Sequence, residues 1–479
     1  MKRFLVPFTM LLLLTGLSSS DARLTERQRA MHALNRLAFG ARPGDVDRVL
    51  QIGVDNWINQ QLHPESISDR DVQSRLDQYE TLKMSDAQII TKFYVPVIEA
   101  RKAKKNGGEG AAAPLSYDQR PARVIAELNA QRILRAVDSD RQLNEVMVDF
   151  WINHFNVFVG KGLDRVLLTS YERDTIRPRI WGKFEDLLMA TAKSPAMLFY
   201  LDNARSRSGA INENYAREIM ELHTLGVDSG YTQKDVTELA RVFTGWSISR
   251  PEEGSGFRFR PFLHDRQPKS VLGVRFGSGG GIEEGERMIH VLAHSPATAQ
   301  HIALQLCQRL VSDDPPKALV DRVAKRFTAT DGDLRETVKA VIDSREFWQA
   351  QNYRAKVKSP FEYAVSAIRA IGGRVDNPLP LARELQKMGE PLYGSQPPTG
   401  YSDKAEAWEN AGALMNRLNF ALALASNKMP GVIVDDTQLA KIDVGAELTA
   451  ETRKTIAEKG GDRATAAGLM LGSPEFQRQ

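Results

Sequence analysis

The chain has 479 residues, a formal net charge of +4 and a single cysteine, Cys307. A charge this close to balance lacks the concentrated basic footprint of a nucleic-acid-binding protein, and one cysteine excludes an internal disulfide framework. The length suffices to bury a large core without covalent staples.

Lys2 and Arg3 precede an apolar run from Phe4 to Leu14, and small residues follow up to Ser20-Asp21-Ala22. This is the charged, apolar and small-residue succession of a secretory signal, so residues 1–22 are expected to be removed. The apolar run is too short to serve as a spanning anchor, and no later stretch reads as a transmembrane segment. The expected location is periplasmic or secreted, with residues 23–479 forming a single helical domain.

From Leu24 to Leu62 the pattern is helical, broken by Phe39-Gly40 and Arg42-Pro43-Gly44. His32 lies off the apolar face of its helix and reads as a surface or interface residue. The stretch 101–119, rich in Lys, Gly and Ala, reads as a flexible loop. From Gln142 to Phe158, Leu143, Val146, Met147, Phe150, Trp151, Phe155 and Phe158 recur at three- and four-residue spacing, a buried helical stripe. His154 sits in that stripe, while Asp149, Asn153 and Asn156 face away from it.

The segment Asn212–Trp246 reads as two helices joined by a polar turn. Asn212 can cap the first and Gly226 stop it, while Thr232 with Asp235 opens the second and Gly245 ends it. Tyr215, Ala216, Ile219, Met220 and Leu222 share a face that also holds His223. Glu218 and Glu221 lie beside it in a polar stripe.

Phe257–Arg260 and Val271–Phe276 read as the strands of one small β-hairpin, with His264-Asp265 at its polar tip. Helices then resume. His290 and His294 are four residues apart, yet lack the intervening glutamate of a zinc-protease helix, and read as surface residues. Cys307 falls on an apolar helical face and is expected to be a buried, inert thiol. A Pro/Gly loop with Tyr393 and Tyr401 precedes a long helix from Lys404 to Ser426. The fold class expected is mainly α, a multi-helix globular body with one small β-hairpin insertion.

Several blocks together resemble a bacterial family catalogued as domain of unknown function 1800. They are Leu34-Asn35-Arg36 with Phe39-Gly40 and Arg42-Pro43-Gly44; Phe150 to Asn156; Asn212 to Glu218 running through Glu221 to Gly226; Phe243-Thr244-Gly245-Trp246; His264-Asp265; and Gln396 to Tyr401. The resemblance implies an exported protein. It also implies an association with an exported sulfatase-like or phosphatase-like partner protein, whose family is often encoded beside this one. It implies no activity and no cofactor.

Two functions follow as expectations. One is an exported hydrolase, metal-assisted or acid–base, using His154, His223 and His264 with Glu218, Glu221 or Asp265, because imidazoles and carboxylates supply proton transfer near neutral pH. The other is a non-catalytic helical scaffold that binds an exported partner or glycan through the Tyr393–Tyr401 loop and the tryptophans near it. Ionisable residues meeting in one concave pocket favour the enzyme, and dispersed ones favour the scaffold. His154 and His223 are expected to be buried and to share a pocket, with Glu218, Asp265 or a metal as hydrogen-bond partner.

Overall fold

A computed structural model describes residues 23–105, 116, 119–227, 229–250, 253–439 and 448–479. The expected signal segment, its cleavage point after Ala22 and most of the 101–119 loop lie outside the described residues. The first part of that loop is instead helical, since the Val95–Lys105 helix carries through Arg101 to its end.

Helices dominate, joined by three two-stranded antiparallel sheets among the described residues. None of these helices is long and apolar enough to cross a membrane. The helices pack into one continuous apolar core that reaches from Ala30 to Phe476. Phe150, Trp151, Ile219 and Leu306 are buried in it. Leu222 is only partly buried, because residues Ile219–His223 form a π-helical turn that displaces it from the face a regular helix would give.

The strands pair differently from the single hairpin expected. Phe257–Phe259 pairs with Trp246–Ile248, and Lys269–Val271 pairs with Val274–Phe276. The cause is local: Leu272 and Gly273 both have positive φ, 49° and 80°, which makes a tight hairpin turn inside what reads as one strand. Residues 263–268 therefore connect two hairpins.

The last long helix starts later than its pattern suggests, at Ala411, because the Asn410 side chain accepts from the Ala413 amide and caps it there. His32 is not on the surface. Its ring packs on Phe347 and Trp348, and its Nε2 donates to the Phe347 carbonyl at 2.8 Å. Burial pushes its pKa down to about 3, so it is neutral. Cys307 is buried, and burial pushes its thiol up to about 12.

Candidate functional site

Three segments distant in sequence meet around the end of the helix Asn214–Glu218 and its π-helical continuation Ile219–His223. The Asn212 side chain accepts from the Asn214 amide at its start. Gly226 ends it at φ 86°, its amide donating to the Met220 carbonyl at 3.1 Å.

The last carbonyls of a helix have no partner within it. Here two imidazoles from other helices take that place. His154, ending the Gln142–His154 helix, donates through Nε2 to the His223 carbonyl at 3.2 Å. His301, from the Pro296–Leu310 helix, donates through Nε2 to the Leu222 carbonyl at 3.1 Å. A Cβ on Gly226 would stand 3.0 Å from the His301 ring nitrogen Nδ1, so the glycine both stops the helix and makes room for the ring.

The structure brings His154 and His223 side by side, with ring centroids 6.0 Å apart, and His301 lies 6.3 Å from His154. Their partners are not the expected ones. His154 Nδ1 lies 2.6 Å from the Gln305 side-chain amide, and neither Glu218 nor Asp265 is bonded to it. Burial, with His301 nearby, pushes the His154 pKa down to about 3. The structure places Gln305 Oε1 at His154 Nδ1, so a neutral ring that donates at Nε2 can accept at Nδ1 only with the amide flipped to present its NH2. Burial likewise holds His223 well below the usual histidine range, and its Nε2 has no hydrogen-bond partner among the described residues.

His264 and Asp265 belong to a different network. His264 is buried, with Nδ1 2.8 Å from the Thr244 carbonyl and Nε2 3.2 Å from Glu284, which also pairs with Lys269 at 2.7 Å. Gly245, at φ 82°, allows this approach, since a Cβ there would fall 2.8 Å from the Arg260 carbonyl. Asp265 takes a two-pronged ion pair from Arg241 at 2.8 and 3.2 Å, and that hydrogen bonding holds its carboxyl below the usual range. It is a fixed anion that joins the two hairpins to the Gln233–Val242 helix.

Glu218 and Glu221 remain near the surface. Glu221 pairs with Arg217 at 3.3 Å. Glu218 is half-buried, and desolvation, reinforced by the Glu221 charge, raises its pKa above the usual carboxylate value. Its charge is felt by Tyr200, whose hydroxyl donates to the Gln396 carbonyl at 2.7 Å.

The Tyr393–Tyr401 loop is pinned from beneath. Asn153 bonds the amide and carbonyl of Tyr401 at 2.7 and 2.8 Å, and Asn156 donates to the Ser395 and Pro397 carbonyls at 3.0 and 2.8 Å. The two asparagines that leave the buried stripe thus face the loop. Tyr393 is buried, and its hydroxyl bonds Glu172. Tyr401 is partly buried and directs its hydroxyl to the Pro391 carbonyl at 2.8 Å.

A family model described as a protein of unknown function (DUF1800) matches residues 32–478. The chain belongs to this family. Three of the blocks that carry the likeness meet here: Phe150–Asn156 holds both the Gln396–Tyr401 loop and the end of the Asn212–Gly226 segment. No curated protein and no solved structure matches the chain.

Sequence reasoning missed three features. His301 and Gln305 complete the histidine cluster, and their only signal is a four-residue spacing on the helix that also carries Cys307. Arg309, also on that helix, binds Asp149, Glu362 and Asp403 at 2.9, 2.9 and 3.0 Å. Among the described residues, the one group of three side chains whose ligand atoms lie within 4.8 Å of one another is Glu185, His290 and His294.

Proposed function

We propose that the chain is an exported helical binding protein that takes a partner protein in an apolar surface groove. The observation that carries this is the groove itself, about 640 Å³, between the Ala411–Ala425 helix and the C-terminal residues. Trp408, Leu414, Met415, Leu418 and Pro474 line it. Leu414 and Met415 are 45% and 59% exposed, uncommon for large apolar side chains that stand together, and such patches mark interaction surfaces. The candidate histidines support the same reading from the other side, since all three are buried, with His154 engaged by a helix-end carbonyl and His264 by a buried carboxylate. Export is supported by the pattern of Lys2, Arg3, Phe4–Leu14 and Ala22.

The partner to measure is an exported sulfatase-like or phosphatase-like protein of the kind often encoded beside members of this family, which the family resemblance suggests. Titration of the mature protein with that partner should give a defined complex, and Leu414→Glu with Met415→Glu should weaken it at least about tenfold, as loss of a central apolar anchor does. Absence of a complex, or an affinity unmoved by both substitutions, overturns the reading.

The hydrolase reading draws its support from one place. Glu218, with a raised pKa, beside Glu221 and within reach of the Tyr200 environment, has the character of a general acid. A Glu218→Gln variant that folds normally and loses a hydrolytic activity of the wild type would support it. Equal activity in both would end it.

A further inference from the structure

We propose that Glu185, His290, His294 and Asp331 form a surface site for a divalent transition-metal cation of the zinc, cobalt or nickel kind. This site is independent of the partner-binding groove and of the buried histidines.

The donors come from three elements, two of which are tied together by backbone hydrogen bonds. His290 stands in the last turn of the Ile282–Ala293 helix and His294 is its C-cap, so four-residue spacing places both rings on one side, with centroids 4.2 Å apart. Glu185 comes from the first turn of the Phe184–Ala192 helix. Asp331 lies in the turn after the Lys317–Ala329 helix, held at positive φ and followed by Gly332, whose carbonyl accepts from the Phe184 amide at 2.8 Å. That bond fixes the backbone beside Asp331 to the backbone beside Glu185.

The ring nitrogens and carboxylates already face one another. His290 Nδ1 is 3.0 Å from Glu185, and His294 Nε2 is 2.8 Å from Asp331. His294 Nδ1 is 2.9 Å from the His290 carbonyl and donates to it, which leaves Nε2, the nitrogen that faces Asp331, as the one a metal would take in place of its proton. Tetrahedral ligands around a zinc-sized ion stand about 3.3 Å apart. Glu185, His290 and His294 already lie within a 4.8 Å envelope, Asp331 adjoins it through its contact with His294, and the His290 side chain is 59% exposed, which leaves it room to turn.

The donor set selects the ion. Two imidazoles with carboxylates suit borderline transition metals, whereas calcium and magnesium take oxygen ligands throughout. A cavity of about 30 Å³ bordered by Glu185, His294, Thr328 and Asp331 has room for a water to complete the shell. Among the described residues, Lys183, which stands 3.8 Å from Asp331, is the one lysine or arginine paired with these two carboxylates. Bound metal would clamp the Ile282–Ala293 helix to the 331 turn.

The test uses tag-free mature protein stripped with chelator and titrated with zinc chloride by calorimetry, with cobalt(II) absorption as a second readout. The expected result is one equivalent bound, a rise in melting temperature with zinc, and a cobalt spectrum of low coordination number. Magnesium should not compete. The His290→Ala/His294→Ala variant should keep the metal-free melting temperature while losing at least about tenfold in affinity, and Glu185→Gln should weaken binding in the same direction. No binding by the wild type, or the same stoichiometry and affinity in the double variant, overturns the proposal.

Discussion

His154 Nε2 lies 3.2 Å from the backbone carbonyl of His223, so one candidate histidine caps the helix end that carries the other. The bond satisfies a carbonyl that the π-helical turn leaves without a partner and that water does not reach. His154→Phe keeps the ring volume and removes both hydrogen bonds, stranding that carbonyl and the Gln305 amide. The expected cost is about 1–3 kcal/mol for each buried group left unsatisfied. Chemical denaturation of the two proteins should show the difference in midpoint at an unchanged slope. An unchanged midpoint would mean that packing alone holds this position.

The buried imidazoles set an acid limit. His32 and His154 are pushed down to about 3 from 6.5, so the unfolded chain takes up protons near 6.5 that the folded chain refuses. Their contribution to stability is therefore full above pH 6.5 and is lost as pH falls from 6.5 toward 3, on the order of a few kcal/mol for each. Glu390 acts in the opposite sense. Burial pushes its carboxyl up to about 7 from 4.5, so stability is lost as pH rises from 4.5 to 7. Glu390→Gln should be more stable relative to wild type at pH 8 than at pH 5, and melting curves at the two values measure this directly. An equal offset at both would show that Glu390 does not titrate in that window.

Much of the helical frame was legible because its signals are local. Ser359 with Glu362 and Thr232 with Asp235 form the reciprocal caps that their spacing announces. The apolar stripe through Phe150 and Trp151 is buried as its period requires. The partners of the candidate residues were not legible, since they depend on chain segments far apart. Nothing near His154 indicates Gln305, and nothing near Asp265 indicates Arg241. A polar residue on an apolar face declares only that some partner must exist. The π-helical turn at Ile219–His223 was equally hidden, because its residues suit a regular helix, and its irregular path displaced Leu222 from the expected core.

Gly226 offers a compact test of how the cluster is assembled. Alanine there must adopt φ near 86° and would bring its Cβ to 3.0 Å from His301. The left-handed conformation alone costs roughly 1–2 kcal/mol, and the crowding adds to it. Gly226→Ala should therefore be less stable than wild type, while His301→Ala should relieve part of that loss when combined with it. A double-mutant cycle in denaturant measures the coupling. Strict additivity would show that His301 does not feel position 226.

Arg309 is the residue on which the buried charge beneath the Tyr401 loop depends. It binds Asp149, Glu362 and Asp403, each within 3.0 Å, and Asp149 is shared with Arg132. Those carboxylates were taken out of water together with their cation, so removing the cation exposes the whole desolvation cost. Arg309→Met fills similar volume and should destabilise by about 3–5 kcal/mol, the usual result of breaking a buried pair from one side. Glu362→Gln is the informative companion. Glu362 Oε2 also accepts from the Ser359 amide at 2.8 Å, and a glutamine keeps that cap through its carbonyl while discarding the charge. If the cost of Arg309→Met is mainly uncompensated negative charge, adding Glu362→Gln should recover about 0.5–3 kcal/mol relative to the sum of the single effects. If the cost is lost packing of the arginine stem, the two substitutions add and nothing is recovered. Urea midpoints for the four proteins decide between them.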